Sequence, residues 1–288
     1  MPNTNHGFIE DQAAGLRRIM AGPIPRVITV ISAFNSDCHK EQPRLLSNLA
    51  ASLTLHGSEV LVLQTGPETR EATIQYSLNQ APVLIDAAMQ KTTLAEIMHL
   101  CGDRKYENGY NIAKLSHKSR GHPVLDGITQ TALNQTFSQL ASHYDVILVD
   151  AVLNKHHELP LPILSQHEIV IHLTQEAESI KQAYILIKQM HQKIGHRSFG
   201  ILVSQANSTE AQVVFNNISE VALRFMQIEL EFIGNVPEDE HISHATSLGR
   251  AVIDAFPRAQ ASLAFKSLAK RLDYKQDLSK MAGQVSFS

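Results

Sequence analysis

RVITVISAFNSDCHKEQPRLLSNLAASLTLHGSEVLVLQTG, residues 26–66, decides the fold. Its flanks, 27–31 and 60–63, are short unbroken runs of Val, Ile, Leu and one Thr, as a strand buried on both faces requires. Between them, 45–56 places apolar residues at helical spacing, so the stretch reads as strand, helix, strand: one crossover unit. The connecting loop, 34–43, holds no glycine, and none occurs between Gly22 and Gly57. A loop that wraps phosphate turns successive backbone N–H groups inward, often at positive φ, and adds a lysine and a Ser/Thr hydroxyl. This loop lacks the glycines that would let it do so.

The same pattern continues outward. Apolar runs at 145–150, 169–173, 199–203 and 232–234 alternate with helical patterns at 128–142, 179–192, 210–226 and 258–272. The expected fold is α/β, a mainly parallel doubly wound sheet with helices on both faces. In the last helix Phe265, Leu268, Ala269 and Leu272 share one face while Lys266, Lys270 and Arg271 lie elsewhere, as a surface helix packed on a sheet requires. The stretch 67–123 is less regular and reads as a strand at 82–87, a helix at 94–100 and a strand at 110–115.

With 288 residues, 43% hydrophobic, the chain can bury the core of one large α/β unit. A formal charge of -3 gives no broad basic footprint for nucleic acid, and none is expected as a direct ligand. The 15 histidines make the protein more cationic below about pH 6. Cys38 and Cys101 cannot build a disulfide framework, and the start of the chain lacks the basic-then-apolar pattern of a signal peptide. A reduced, cytoplasmic protein is expected. No apolar run approaches the roughly 18 residues of a membrane-spanning helix.

Ahead of the first strand, 9–20 (IEDQAAGLRRIM) is amphipathic, with Ile9, Ala13, Leu16 and Met20 on one helical face. Gly15 costs about 1 kcal/mol relative to Ala inside a helix, so this short segment folds on docking rather than alone. Arg17 and Arg18 beside Leu16 give it the profile of a recognition peptide; the competing reading folds Leu16 and Met20 back onto the protein's own sheet. His241 and His244 have the i, i+3 spacing of a metal pair, and His156 and His157 add imidazoles elsewhere. No third ligand has a matching spacing, so these read as surface histidines and no metal is expected. Cys38 and His39 are adjacent, and adjacent side chains rarely point at one another; nothing orients the pair as nucleophile and base, so they read as loop sequence.

In order and spacing, these segments resemble the MinD/ParA-type P-loop ATPases, and within them the FlhG (FleN) regulators of flagellar number. Residues 11–18 (DQAAGLRR) resemble the DQAxGLR motif of that subgroup. Asn48-Leu49-Ala50, 60–63 (VLVL), 144–150 (YDVILVD), 179–188 (SIKQAYILIK) and 234–239 (GNVPED) resemble the helix, strands and C-terminal pattern of the family. The resemblance implies that Asp11, Gln12, Leu16, Arg17 and Arg18 engage an FlhF-type GTPase, and that a flagellar transcription activator is a further partner.

The departures from the family fall at its nucleotide site. With Asn48 aligned, the phosphate-loop lysine falls at Gln42 and the following hydroxyl at Pro43; Lys40 comes near only by shifting the gap. The second-strand Asp is replaced at Gln64-Thr65-Gly66, the switch keeps Asp150 but neither its hydroxyl nor its glycine, and the adenine-contacting Asn is replaced by Ser204 and Gln205. Lys40, Gln42, Pro43, Gln64, Asp150 and Ser204 are therefore expected to be a vestigial site, with no catalytic residue and no cofactor. Positioning and electrostatics are nearly all of phosphoryl-transfer catalysis, and one residue can be worth roughly 10³ or more.

The expected division is 1–25 as docking segment and linker, 26–273 as the α/β body and 274–288 as a polar tail. The tail lacks a basic amphipathic stripe, which argues against membrane contact. Without nucleotide to bridge two copies, a monomer or a dimer indifferent to ATP is expected, recruited to the cell pole by its partner. Two alternatives are an ATPase holding nucleotide through Lys40, Asp150 and the long loop, and a division or partition accessory of the same fold.

Overall fold

The computed structural model describes residues 25–34, 41–66, 81–102, 109–117, 126–154 and 156–285, the last thirteen as backbone only. Among these, eight strands form one sheet: β1 (Arg26–Ser32), β2 (Val60–Gln64), β3 (His99–Cys101), β4 (Tyr110–Lys114), β5 (Val146–Ala151), β6 (Glu168–Thr174), β7 (Phe199–Ser204) and β8 (Leu230–Val236). Their order is β3-β4-β2-β5-β1-β6-β7-β8. Every neighbouring pair is parallel except β3 with β4. The helices are α1 (Glu41–Leu55), α2 (Leu84–Ala88), α3 (Leu94–Ile97), α4 (Gly127–Ala141), α5 (Ala177–Ile194), α6 (Ser208–Met226), α7 (Glu240–Ser247), α8 (Val252–Ala255) and α9 (Gln260–Val285). The fold is the α/β, doubly wound, mainly parallel sheet that the apolar runs imply.

Strand alternation divides the core into two layers. Val27, Ile31, Ile147 and Val149 pack with Phe137 of α4, Ile187 of α5 and Ile218 of α6. Ile28, Val30, Leu148 and Val170 pack on the other face with Leu46 and Leu49 of α1 and Phe265 and Leu268 of α9. A sheet apolar on both sides can be covered only this way, which is why its strands read as continuous rather than alternating.

Three readings are corrected. Residues 84–88 are helical, not strand: Asp86 accepts a hydrogen bond from Val83 N at 3.4 Å and closes a first turn whose Leu84 is buried. The helix expected over 94–100 ends at Ile97, and the chain re-extends into β3 against β4. Helix α1 begins at Glu41, so Gln42 and Pro43 form its first turn instead of a loop. Proline is tolerated there because the first N–H groups of a helix have no carbonyl to meet.

Four side chains fasten the layers. Arg26 donates from Nε and Nη2 to the Glu168 carboxylate at 2.6 and 2.8 Å and from Nη1 to the Leu272 carbonyl, tying β1, β6 and α9. Asn48 Oδ1 accepts from Val252 N at 2.7 Å, joining α1 to α8. Asp239 caps two helices at once: Oδ1 accepts from His241 N at 3.0 Å and Oδ2 from Ala261 N at 3.0 Å. Burial opposes its charge, but these bonds and the one from the His241 ring hold its pKa below the ordinary carboxylate value. Arg271 donates to Ile233 O at 3.1 Å. In β8 the register against β7 skips Ile233, and Gly234 has φ of 151° there. A Cβ on Gly234 would come within 2.5 Å of Leu268 Cδ2, so glycine lets α9 lie against the bulge.

Candidate functional site

In an open parallel sheet, ligands bind beyond the carboxyl ends of the strands where the order reverses. Here that point is β1, whose neighbours are β5 and β6. Its partner residues at the crevice are Val30 with Asp150 and Ser32 with His172. Each of those two partners anchors a polar cluster.

On the β5 side, α1 starts close enough for the Gln42 amide to reach across both strand ends. Its Nε2 donates to Val30 O at 3.1 Å and to Asp150 Oδ1 at 2.5 Å. Gln42 Oε1 is buried with no hydrogen-bond partner among the described residues. Burial pushes the Asp150 carboxyl up to about 6, and the Gln42 bond offsets only part of that. Beside it, Thr65 Oγ1 donates to Asp150 O at 2.9 Å and accepts from Val152 N at 3.1 Å. Gly66 completes this join of β2 to β5, since a Cβ there would lie 2.6 Å from Val152 Cγ2. Gln64 is in register with Asp150 and buried, and Pro43 is buried in the first turn of α1.

On the β6 side, His172 is fully buried and its Nε2 lies 2.9 Å from Ser204 Oγ. Burial pushes its pKa down to about 3, so the imidazole is neutral at physiological pH. The Phe34 ring meets it edge-on at 4.7 Å. His172 and Ser204 border a cavity of about 270 Å³ under α7.

The structure therefore brings Gln42, Pro43, Gln64 and Asp150 together and sets Ser204 apart, three strands along the sheet from Asp150. Lys40, Cys38 and His39, and the N-terminal Asp11, Gln12, Leu16, Arg17 and Arg18, lie outside the described residues. His241 and His244 both pack on Phe256, at 4.7 and 5.1 Å between ring centroids, and His241 Nδ1 lies 2.7 Å from Asp239 Oδ1. Among the described residues no group of three or more His, Cys, Asp or Glu could hold a metal ion, and no helix is long and apolar enough to cross a membrane. Sequence reasoning missed His172, and it named Thr65 only within the stretch that replaces an Asp. The signal for His172 was there: it is the lone ring nitrogen pair in the apolar run EIVIHLT.

No family model matches the chain. It is similar to the antiactivator FleN of Pseudomonas aeruginosa, with 28% identity over 227 residues, 78% of this chain and 79% of that one. Its fold is that of MinD in the MinC:MinD cell division complex of Aquifex aeolicus, with a TM-score of 0.60 at 21% identity over 86% of this chain and 95% of the other. A ParA family ATPase from Chlorobium tepidum has the same fold, with a TM-score of 0.56 at 17% identity over 87% and 99% of the two chains. The MinD/ParA resemblance read from the motifs agrees with both kinds of likeness.

Proposed function

We propose that this chain, similar to FleN in sequence and to the MinD and ParA proteins in fold, is a regulator of flagellar number or placement that acts through protein contacts and does not hydrolyse ATP. The observation that carries this reading is the Gln42 amide seated between Val30 O and Asp150 Oδ1. The family's phosphate-loop lysine aligns with this position, and an amide offers no charge to a phosphate. A triphosphate brought here would meet a buried carboxyl without the cation that phosphoryl transfer depends on.

Titrating ATP or ADP with Mg²⁺ into the full chain is accordingly expected to give no binding heat up to about millimolar nucleotide. A micromolar dissociation constant would overturn the nucleotide-free reading and favour the alternative in which Lys40 and its loop hold phosphate.

The protein contacts are the second part of the proposal. FleN is described as an antiactivator, and a MinD chain of the same fold is found in complex with MinC; both support a fold used to hold partners. The motif 11–18 supports an FlhF-type GTPase as one of them, engaged by Asp11, Gln12, Leu16, Arg17 and Arg18, with recruitment to the cell pole following from that contact. The double variant Leu16→Asp, Arg17→Asp is expected to weaken binding to that GTPase by about a hundredfold or more. Equal affinity of variant and parent, measured by interferometry, would remove the motif from the proposal.

A further inference from the structure

The outward face of α6 is more apolar than a solvated helix needs. Among the described residues eleven large hydrophobic side chains are exposed, and four of them, Val213, Val221, Leu223 and Phe225, belong to this one helix. Its neighbour α5 covers the same layer of the core and turns Lys181, Lys188 and Lys193 to solvent instead. Single exposed apolar residues are ordinary, but a concentration of them on one element marks a surface that another molecule covers.

The order of residues on that face says what covers it. Glu210, Val213, Asn217, Val221 and Arg224 follow one another at steps of 3, 4, 4 and 3, so they stand in a row along one side of the helix. All five are exposed, while Ala211, Val214, Ile218 and Ala222 turn inward. The row is symmetric about Asn217: a valine lies four residues to either side, Glu210 seven before and Arg224 seven after. Reversed and laid against itself, the helix sets valine on valine and glutamate on arginine. A two-fold contact presents one patch to its own copy and must be self-complementary in this way. A row shaped for a different partner has no reason to read the same backwards with its charges exchanged.

The remaining features agree with that placement. Antiparallel helices oppose their dipoles. Asn217, on the axis, carries both the donors and the acceptor that an amide needs to pair with its own copy. Phe225 is 67% exposed, and Arg224 stands over its ring at 5.5 Å, so the ring widens the apolar strip at the end of the row. Leu223 lies about 120° round the helix from Asn217 and takes no part.

We propose that α6 is a self-association surface, through which two copies of this chain pair antiparallel about a two-fold axis at Asn217, with Val213 on the partner's Val221 and Glu210 on the partner's Arg224. The row includes neither the N-terminal motif nor the Gln42 and Asp150 cluster, so this pairing needs no nucleotide and stands apart from the function proposed above. One helix face is smaller than the roughly 800 Å² per partner of a standard interface, so the dimer is weak, with a dissociation constant of about 10 to 100 μM.

Sedimentation equilibrium of the full chain without nucleotide, from about 5 to 500 μM, measures it. Val221→Glu sets a carboxylate among the valines and is expected to raise the dissociation constant at least about tenfold. Val213→Glu serves in its place if Val221→Glu loses native helicity by circular dichroism. Leu223→Glu, off the row, should change the constant by no more than about twofold. Arg224→Glu and Glu210→Arg should each weaken pairing at least about threefold, and an equimolar mixture of the two should recover the parent's affinity, because each copy then offers the charge the other lacks. A monomer throughout the range would overturn the proposal, as would a dimer indifferent to the glutamate in the row, equal losses from Leu223→Glu and Val221→Glu, or a mixture no tighter than its components. A dimer that forms only with ATP and Mg²⁺ would overturn it too, and would in addition count against the nucleotide-free reading.

Discussion

Asp150→Asn is expected to raise the free energy of unfolding at pH 8 by on the order of 2 kcal/mol and to leave it little changed near pH 4. The carboxyl is shifted from an ordinary 3.8 to about 6 in the fold, with burial as the main cause. A group whose folded pKa is raised contributes stability that is fully present below the unfolded value and is lost as pH rises through the folded one. The Asp150 contribution should therefore be lost between about pH 4 and pH 6 and level off above, and it is read as the difference between the parent and Asp150→Asn, because the depressed pKa of His172 acts in the opposite sense over the same range in both proteins. An asparagine carries no charge to bury, and its carbonyl oxygen still accepts from Gln42 Nε2. Gln42→Lys tests the same pairing from the other side: an ammonium against Asp150 should draw its pKa down and flatten the same slope. Urea unfolding from pH 4 to pH 8 checks both. Parallel profiles for parent and Asp150→Asn would mean that the carboxyl is solvated as well in the folded as in the unfolded chain.

Phe265→Ala is the second large effect, expected to cost about 3 to 5 kcal/mol. Phe265 is 1% exposed, in the layer where α9 meets α1 and β8, and it also walls the His172 cavity. Its removal deletes a ring from a packed layer and joins the resulting void to an existing cavity, so the site has little to collapse onto. Leu263, in the same helix but 58% exposed, is the control, and Leu263→Ala should change stability by no more than about 0.5 kcal/mol. The urea midpoint of the two variants measures the contrast. A cost for Phe265→Ala near that of Leu263→Ala would show that α9 is not a structural part of the core.

The sheet was legible because burial on both faces writes each central strand as a continuous apolar run of strand length, repeated between helical patterns. Leu268, Ala269 and Leu272 were legible for the same reason in helical spacing. Residues 82–87 were misread because Pro-Val-Leu-Ile looks like a strand, whereas the Asp86 carboxyl, one polar atom group, closes a turn there. Gln42 and Pro43 were assigned to a loop because the apolar spacing starts only at Leu45, yet the first helical turn is where proline loses nothing. The site was half legible. The alignment of Gln42 with a lysine position marked it, but the bond to Asp150 depends on the angle at which α1 leaves β1. Nothing in the sequence near Ser204 announces His172, thirty-two positions earlier, since register across two parallel strands is set by the whole sheet.

The double cap made by Asp239 bears on how the C-terminal part holds together. One carboxylate closes the start of both α7 and α9, so a single side chain answers for the unpaired N–H groups of two helices, and its loss would fray both starts at once.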